Sequence, residues 1–327
     1  MPSVMNVVGA RPQFVKAGPV SRALADRGLH EILVNTGQHY DDLMSDAIMR
    51  DVGLRQPDID LGVGSGSHGR QTARMLEGLE RVMIELSPDA VLTYGDTNST
   101  VAAALAATKL GILTGHVEAG LRSFNREMPE ELNRVATDHL SDVLLAPTVN
   151  AMEQLEREGL AHRSELCGDV MVDALMSIDL DTVIAPEWAR DGFYASTIHR
   201  PSNTDDAVRL NRVLSAFASL DKTVHLLAHP RLQRRLHDFN IKVPQGVQIH
   251  DPLPYSSMLK VVSSSDGLLT DSGGLQKEAF VLGVKCTTIR SETEWPETLS
   301  GDWNVLAGSL ERLSEIVLRE TTPVHDN

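Results

Sequence analysis

The chain has 327 residues, which is too long for one small core and suits two α/β domains. Its formal net charge of −15 argues against nucleic acid as a main partner, because phosphate backbones are bound by basic faces. No stretch reaches the roughly 18 consecutive apolar residues of a membrane span, and no signal-peptide pattern opens the chain, so we expect a cytoplasmic protein.

The first half of the chain alternates predicted strands with predicted helices. Strand 5–8 ends in Gly-Ala-Arg-Pro, and a helix pattern follows over 14–27. Arg11 and Lys16 flank the start of that helix, where cations and bare N–H groups can bind an anion. A structural turn explains this motif about as well. Strand 31–35 then leads into a polar loop with His39, which could equally be a plain surface residue.

The next strand–helix repeats carry further candidate groups. Residues 61–69 are rich in Gly and Ser, which is typical of a flexible loop or of one that approaches a ligand closely. A helix is predicted over 70–85 and a strand over 90–93. Asp96 follows this strand and could be a helix N-cap or a catalytic residue; in isolation the cap is the safer interpretation.

Residues 116–134 carry more ionisable side chains than a connecting loop needs. Glu118 follows predicted strand 112–117, and Glu130 and Glu131 stand behind Pro129 at a predicted helix start. Positive charge comes from Arg122, Arg126 and Arg134. Acidic groups at a strand end and a helix start can converge on one pocket, so we interpret this stretch as a catalytic floor. The alternative is a solvated loop with ion pairs.

A second strand–helix series begins at Gly192. Residues 168–177 and 179–190 are predicted to form the hinge region, which divides the chain into domains 1–178 and 179–327. Polar motifs recur where predicted strands end, at 199–206, 229–231, 251–253, 271–274 and 290–297. The expected fold class is therefore α/β, with two Rossmann-like domains that face a cleft.

Two motifs of the second half suggest anion binding. Asp271-Ser272-Gly273-Gly274 places two glycines and a hydroxyl at a helix start, which suits a diphosphate. Glu278 lies one helical turn further and can accept both hydroxyls of a ribose. His199 and the adjacent Arg200 can stabilise a phosphate leaving group as acid and cation. An N-capping Asp271 with a surface Glu278 remains the structural alternative.

The two cysteines suggest no metal site. Cys167 and Cys286 lie far apart, and neither has a neighbouring Cys or His at metal-ligand spacing. We predict that both are buried thiols in a reducing compartment.

Taken together, the motifs resemble those of the non-hydrolysing UDP-N-acetylglucosamine 2-epimerase family. They occur in the family's order over about residues 5–308: Gly9-Ala10-Arg11-Pro12, Thr36-Gly37-Gln38-His39, Tyr94-Gly95-Asp96-Thr97, His116-Val117-Glu118-Ala119-Gly120-Leu121-Arg122, Pro129-Glu130-Glu131-Leu132-Asn133-Arg134, His199-Arg200, Asp271-Ser272-Gly273-Gly274 and Thr293-Glu294. The resemblance implies the glycosyltransferase-B architecture, an active site in the interdomain cleft, and neither a metal nor a nicotinamide cofactor. It also implies a cytoplasmic enzyme, which we expect to be a homodimer.

The reaction implied by the resemblance inverts C2 of UDP-GlcNAc to give UDP-ManNAc, through elimination of UDP to a 2-acetamidoglucal and its re-addition. The resemblance makes Asp96, Glu118, Glu130 and His199 the catalytic candidates. It assigns the diphosphate and leaving-group contacts to Arg11, Lys16, Arg134, His199, Ser272, Gly273 and Gly274, and the ribose to Glu278. It further suggests an activator site for a second UDP-GlcNAc at Gln38, His39, Arg70, Gln71 and His229. Glu131 is expected to be structural.

The chain also departs from the family pattern. Ser202 and Trp295 stand where members often have Glu and Arg, which leaves the exact sugar open, since related epimerases act on other 2-acetamido sugars such as 2,3-diacetamido uronates. Members usually continue past the equivalent of Gly308 with a longer tail, whereas here a helix pattern covers only 310–320, so we expect domain closure to be weaker or differently secured.

Three other functions remain open at this stage: a hydrolysing relative that releases UDP and free ManNAc, a glycosyltransferase of the same architecture, and a catalytically silent nucleotide-sugar binding protein.

Overall fold

The structure is a computed structural model that describes residues 1–38, 42–190 and 192–322. The chain divides into two compact units, the N-terminal unit Met1–Ile178 and the C-terminal unit Asp179–Asn327. None of the described helices is both long and apolar enough to cross a membrane.

The N-terminal unit is built on a parallel sheet. In its described residues seven strands pair in the order β3-β2-β1-β4-β5-β6-β7. They are β1 (Ser3–Val8), β2 (His30–Asn35), β3 (Ile59–Asp60), β4 (Ala90–Tyr94), β5 (Leu113–Val117), β6 (Val143–Ala146) and β7 (Ser164–Leu166). The helices are α1 (Arg11–Asp26), α2 (Asp42–Asp51), α3 (His68–Leu86), α4 (Asn98–Lys109), α5 (Pro129–Leu140), α6 (Val149–Arg157) and α7 (Val170–Met176). The strand order reverses between β1 and β4, where open α/β sheets bind ligands beyond the carboxyl ends of the strands.

The core of this unit follows from its apolar strands and its small helical residues. Met5, Val7 and Val34 on the strands are fully buried against Met75 and Leu79 of α3. Four buried alanines of α4 join the same cluster and let this helix lie close to the sheet: Ala102, Ala103, Ala106 and Ala107. A parallel sheet covered on its faces needs such continuous apolar strands.

The C-terminal unit repeats the design. Its described strands pair in parallel in the order β10-β9-β8-β11-β12-β13. They are β8 (Tyr194–Thr197), β9 (Val224–Leu227), β10 (Val247–His250), β11 (Gly267–Thr270), β12 (Cys286–Thr288) and β13 (Asn304–Leu306). The helices are α8 (Pro201–Thr204), α9 (Ala207–Ala218), α10 (Pro230–Asp238), α11 (Tyr255–Ser263), α12 (Gly273–Val281) and α13 (Leu313–Val317). The strand order reverses between β8 and β11. The predicted fold class, two Rossmann-like α/β domains, is confirmed.

Two local predictions were wrong. Part of the predicted hinge, residues 168–177, is helix α7, which packs against α1 within the N-terminal unit. Cys286 is buried as expected, but Cys167 is exposed beside the edge strand β7, because an edge strand has no neighbour on its outer side.

Candidate functional site

Lys16 and Glu118 meet at the carboxyl edge of the first sheet, where β1, β4 and β5 end. Lys16 Nζ lies 2.6 Å from Glu118 Oε2, and both side chains are less than one-tenth exposed. Glu118 has a φ of +72°, a left-handed backbone conformation that a non-glycine residue adopts at a cost of about 1–3 kcal/mol. Such a conformation persists where the surrounding structure enforces it, and it marks Glu118 as a functional candidate.

Burial and charge act in opposite directions on this pair. Burial raises the pKa of Glu118, and the neighbouring carboxylates of Asp169 and Asp96 add to this, whereas Lys16 lowers it; the pKa is raised overall. Burial lowers the pKa of Lys16, but the charges of Glu118 and Asp96 outweigh it and raise that pKa. A carboxyl group with a raised pKa beside a charged ammonium is suited to taking up and returning a proton.

Arg134 connects Asp96 to the start of α5. Its Nη2 makes a short ion pair with Asp96 Oδ2, and its Nη1 donates to Glu131 Oε2 at 2.7 Å. Asn133 also donates to the main-chain oxygen of Asp96, at 3.0 Å. The N-cap of α4 is Thr97, so the N-cap interpretation of Asp96 was wrong. Its side chain turns to Arg134 instead, as a charge-assisted hydrogen bond is stronger than a neutral one.

The two neighbouring glutamates of α5 differ in their surroundings. Glu131 is buried and accepts hydrogen bonds from Ser123 N, Ser123 Oγ and Phe124 N as well as from Arg134. Glu130 is half-buried, and among the described residues no hydrogen bond or ion pair engages its carboxylate. Glu131 therefore fixes the loop at 123–124, whereas Glu130 has no such structural role among the described residues.

The described residues of the suggested activator site belong to both units: Gln38, Arg70 and Gln71 to the first, and His229 to the second. Gln71 Nε2 donates to the main-chain oxygen of Gln38 at 3.3 Å, and Asn98 links Gln71 to Asn133. Arg70 is exposed on α3, one residue before Gln71. His229 belongs to the C-terminal unit, where it caps α10. His39 lies outside the described residues.

In the C-terminal unit Asp271 organises the loop after β8. This fully buried carboxylate accepts from the main-chain N–H groups of His199 and Arg200 and from Asn203 Nδ2. Burial raises the pKa of Asp271, but His199 and these hydrogen bonds lower it by more, so the pKa is lowered overall and the carboxylate remains ionised. His199 Nδ1 lies 3.1 Å from Asp271 Oδ1. Nδ1 is therefore within hydrogen-bond distance of Asp271, and the side chain of His199 is about half exposed.

The start of α12 has the features of an anion site. Ser272 is its N-cap and accepts from Leu275 N, so its hydroxyl proton is still able to reach a ligand. Asp271 is not the N-cap, contrary to the structural alternative. Gly273 and Gly274 form the first turn, where main-chain N–H groups and the helix dipole favour negative charge. Arg200 lies beside this turn.

Glu278, on the same helix, is buried, and its Oε1 accepts from Tyr255 on α11 at 2.7 Å. It is therefore held in place one helical turn beyond the predicted diphosphate site. The second part of that structural alternative, a Glu278 exposed on the surface, was therefore also wrong.

Sequence reasoning missed four groups that contribute to these clusters: Asn133, Asp169, Tyr255 and Glu294. Asp169 caps α7 and acts electrostatically on both Lys16 and Glu118. Glu294 is buried between Arg290, at 2.9 Å, and Gly273. Asn133 and Glu294 stand inside quoted motifs, which could have identified them; Asp169 and Tyr255 carried no such signal. Among the described residues, no group of three or more His, Cys, Asp or Glu side chains is arranged to hold a metal ion.

Comparison with known proteins decides the family. The family model described as UDP-N-acetylglucosamine 2-epimerase matches residues 22–322. The chain belongs to this family. A relative from Pseudomonas aeruginosa, UDP-2,3-diacetamido-2,3-dideoxy-D-glucuronate 2-epimerase, is 43% identical over 94% of this chain and 88% of its own length.

Solved structures agree with this assignment to the UDP-N-acetylglucosamine 2-epimerase family. The epimerase of Methanocaldococcus jannaschii, in complex with UDP-GlcNAc and UDP, is 38% identical, with a TM-score of 0.90 over 96% of this chain and 91% of that chain. A lipopolysaccharide outer core galactosyltransferase, 13% identical with a TM-score of 0.53 over 97% of this chain and 90% of that chain, shares the fold alone.

Proposed function

We propose that the protein is a non-hydrolysing epimerase that interconverts UDP-GlcNAc and UDP-ManNAc by eliminating and re-adding UDP. The observation that carries this proposal is the buried Lys16–Glu118 pair next to Asp96. A proton at C2 of the sugar is not adjacent to a carbonyl group, so its removal needs a positioned carboxylate and simultaneous departure of the leaving group. The N-terminal cluster supplies the carboxylate.

The proposed reaction has two halves. In the first, a carboxylate takes the C2 proton while the bond between C1 and the β-phosphate oxygen breaks, which leaves UDP and a C1=C2 double bond. In the second, a proton is delivered to the opposite face of C2, and the phosphate oxygen re-forms its bond to C1. Glu118, Asp96 and Glu130 are our candidates for the two proton transfers, since a proton must be handled on each face.

The remaining assignments concern UDP. His199, whose side chain is half-exposed, would protonate or hydrogen-bond the departing phosphate, and the N-terminus of α12 with Ser272, Gly273 and Gly274 would hold the diphosphate. Arg11, Lys16 and Arg134 would contribute positive charge from the N-terminal unit. Glu278 would bind the ribose. A second UDP-GlcNAc at Gln38, His39, Arg70, Gln71 and His229 is retained as a proposed activator.

The test is incubation with UDP-GlcNAc in D₂O, followed by NMR. The expected result is deuterium at C2 of both UDP-GlcNAc and UDP-ManNAc, without net release of free UDP. Release of free ManNAc with UDP would instead indicate a hydrolysing enzyme. Transfer of the sugar to an added acceptor without C2 exchange would indicate a glycosyltransferase, and UDP binding without any turnover would indicate a binding protein.

The 43% identical relative supports a second candidate substrate. That relative is named for epimerisation of a UDP-2,3-diacetamido uronate, and Ser202 and Trp295 already leave the sugar open. The two UDP-sugars should therefore be compared in the same D₂O assay. A larger kcat/KM for the diacetamido uronate would make that UDP-sugar the proposed substrate, and the proposed elimination and re-addition would stay the same.

We also propose that the protein is a homodimer. Light scattering coupled to size-exclusion chromatography should give twice the mass of the 35.7 kDa chain. A mass equal to that of one chain at micromolar concentration would exclude this assembly.

A further inference from the structure

One buried histidine has no role in the proposed reaction, although it lies next to the residues assigned to proton transfer. His116 is on β5, two residues before Glu118, and its side chain has no exposed surface. Its Nδ1 lies 2.6 Å from Asp138 Oδ1, and its Nε2 lies 2.7 Å from the main-chain oxygen of Gly95. Both ring nitrogens are therefore within short hydrogen-bond distance of an oxygen atom.

The partners determine the protonation of the ring. A main-chain carbonyl only accepts, so Nε2 must carry a proton. Asp138 Oδ2 is occupied by Gly120 N–H and by Arg122 Nη1, at 3.1 and 2.7 Å, and these donors keep the carboxylate ionised. Burial raises the pKa of Asp138, but the charges of His116 and Arg122 lower it overall. Nδ1 faces this carboxylate and is placed to donate to it.

The bond to Gly95 bears on the candidate site. Gly95 has a φ of +65°, and its N–H donates to Val117 O at 3.0 Å, so this residue is bonded to β5 through both its N–H and its C=O. A Cβ on Gly95 would lie 3.2 Å from Lys16 Nζ and 3.5 Å from Glu118 Oε1. Asp96 follows directly. His116 thus holds the peptide that separates Asp96 from the Lys16–Glu118 pair.

We propose that His116 is a positioning residue: its doubly protonated ring, held by Asp138, clamps the Gly95 peptide and so fixes the distance between Asp96 and Glu118. This inference rests on the proposed function, because it assigns proton transfer to those two carboxylates. A shift of about 1 Å between catalytic groups can cost a factor on the order of a hundred in rate. His116 has no contact with substrate in this scheme, so it is not itself a catalytic residue.

The first test needs no substrate. Two-bond proton–nitrogen correlation spectra of the protein labelled with ¹⁵N-histidine, with His116 assigned by loss of its signals in His116→Gln, report the protonation of both ring nitrogens. We expect two protonated nitrogens near neutral pH. A neutral ring with one bare nitrogen would overturn the proposal.

The second test uses kinetics. His116→Gln should lower kcat for C2 exchange by roughly tenfold to a hundredfold while KM and UDP affinity change little, because alignment and not binding is lost. Asp138→Asn removes the anchor of the ring but leaves Nε2 able to donate to Gly95, so it should lower kcat by less than His116→Gln does. A folded His116→Gln variant with the kcat of wild type would refute the positioning role.

A matched control separates this effect from general damage to the strand. Thr114→Val also removes a side-chain hydrogen bond from β5, the part-buried one from Thr114 Oγ1 to Ile112 O, but it does not touch Gly95. It should keep the wild-type kcat even if it lowers thermal stability. If the wild-type protein does not exchange C2, the proposed function fails, and the spectra together with changes in the Gly95 and Asp96 amide shifts in His116→Gln still decide whether the clamp exists.

Discussion

At the scale of single residues, Glu118 combines three unusual properties. It is buried, its backbone is left-handed, and its only close cation among the described residues is an ammonium that is itself buried. Burial favours the neutral carboxyl group and Lys16 favours the carboxylate, so neither form is excluded. A group that removes a proton and later returns one needs this balance, whereas a purely structural ion pair does not.

We predict that Glu118→Gln abolishes C2 exchange. The amide has nearly the same shape but cannot accept a proton, so the loss should reach about a thousandfold or more, in the range of removed general bases. UDP affinity should stay within about tenfold, because the proposed UDP contacts lie mostly on other residues. The measurement is deuterium incorporation at C2 alongside calorimetric titration with UDP.

Glu127→Gln is the matched control. It removes one carboxylate from the same segment at an exposed position and should leave exchange unchanged. Equal losses of exchange and of UDP affinity in Glu118→Gln would make Glu118 a structural residue.

The residues that follow the ends of strands could be predicted from the sequence, whereas most of their contacts could not. Glu118 and Asp96 were identifiable because each follows an apolar run in a strand–helix alternation. The pairing of Asp96 with Arg134 spans 38 positions and depends on the packing of α5, so no local pattern predicts it. Asp169 was hidden for a different reason: the segment around it was predicted to be a hinge, and a seven-residue helix is too short to show periodicity.

At the scale of elements, the N-terminus of α12 is shaped by Glu294. A Cβ on Gly273 would overlap Glu294 Oε1, and this carboxylate is held from the other side by Arg290 at 2.9 Å. Glycine is therefore required at position 273 for a close approach and not for a positive φ. The same absence of a side chain leaves the main-chain N–H groups accessible to a diphosphate.

We predict that Gly273→Ala weakens UDP binding by at least about tenfold, since the new methyl group must displace Glu294 and covers the helix terminus. Calorimetric titration with UDP measures the loss. Gly283→Ala is the control, because its Cβ would meet nothing within 4 Å although its φ of +67° makes the change strained. It should cost about 1 kcal/mol of stability without affecting UDP. Unchanged UDP affinity in Gly273→Ala would place the diphosphate elsewhere.

The edge of the second sheet contains a histidine pair that links stability to pH. His225 on β9 and His250 on β10 are hydrogen-bonded at 2.7 Å, and Trp188 stacks on both rings. Burial, and then the charge of His250, lowers the pKa of His225 to about 4; burial also lowers the pKa of His250. In the unfolded chain both titrate near 6.5.

The sign of the pH dependence follows. Between about pH 6.5 and pH 4 the unfolded chain binds more protons than the folded unit at these positions, so stability falls as the pH is lowered through this window. We predict that His225→Gln reduces the slope of melting temperature against pH, although it lowers stability near neutral pH. His237→Gln, at an exposed position of α10, should leave the slope unchanged. An unaltered slope in His225→Gln would contradict the prediction.

Three short strands were not predicted from the sequence. β3, β7 and β13 have two or three residues each, and their pairing depends on a neighbour already in place. The longer helices and the strands between them were predictable because their apolar spacing repeats.

At the scale of the whole molecule, two parallel sheets with the same kind of reversal follow from alternating strands and helices, and the family resemblance supplied the rest. The packing of the segment 310–320 was not predicted from the sequence. Leu313 and Val317 of α13 are buried in the core of the C-terminal unit, together with Leu310. The predicted apolar side of this segment is therefore packed within its own unit.

Arg319 links α13 to the rest of the C-terminal unit through hydrogen bonds. Its guanidinium donates to the main-chain oxygens of Asp302, Ile316, Cys286 and Trp303 at 2.5 to 3.0 Å, and to Thr287 Oγ1 at 3.1 Å. The planar fork of arginine suits several acceptors at once, which neither lysine nor an apolar side chain can reproduce. These contacts join α13 to β12 and to the turn before β13.

We predict that Arg319→Met lowers the free energy of unfolding of the C-terminal unit by about 2–4 kcal/mol, because it leaves partly buried carbonyl groups without donors. Hydrogen exchange followed by mass spectrometry should show faster exchange in β12, β13 and α13, and unchanged exchange in the N-terminal unit, which has its own core. Arg312→Met removes an exposed pair with Glu315 and should leave stability almost unchanged, because solvent screens such a pair. Faster exchange spread over both units would mean that Arg319 stabilises the molecule through a route other than these five contacts.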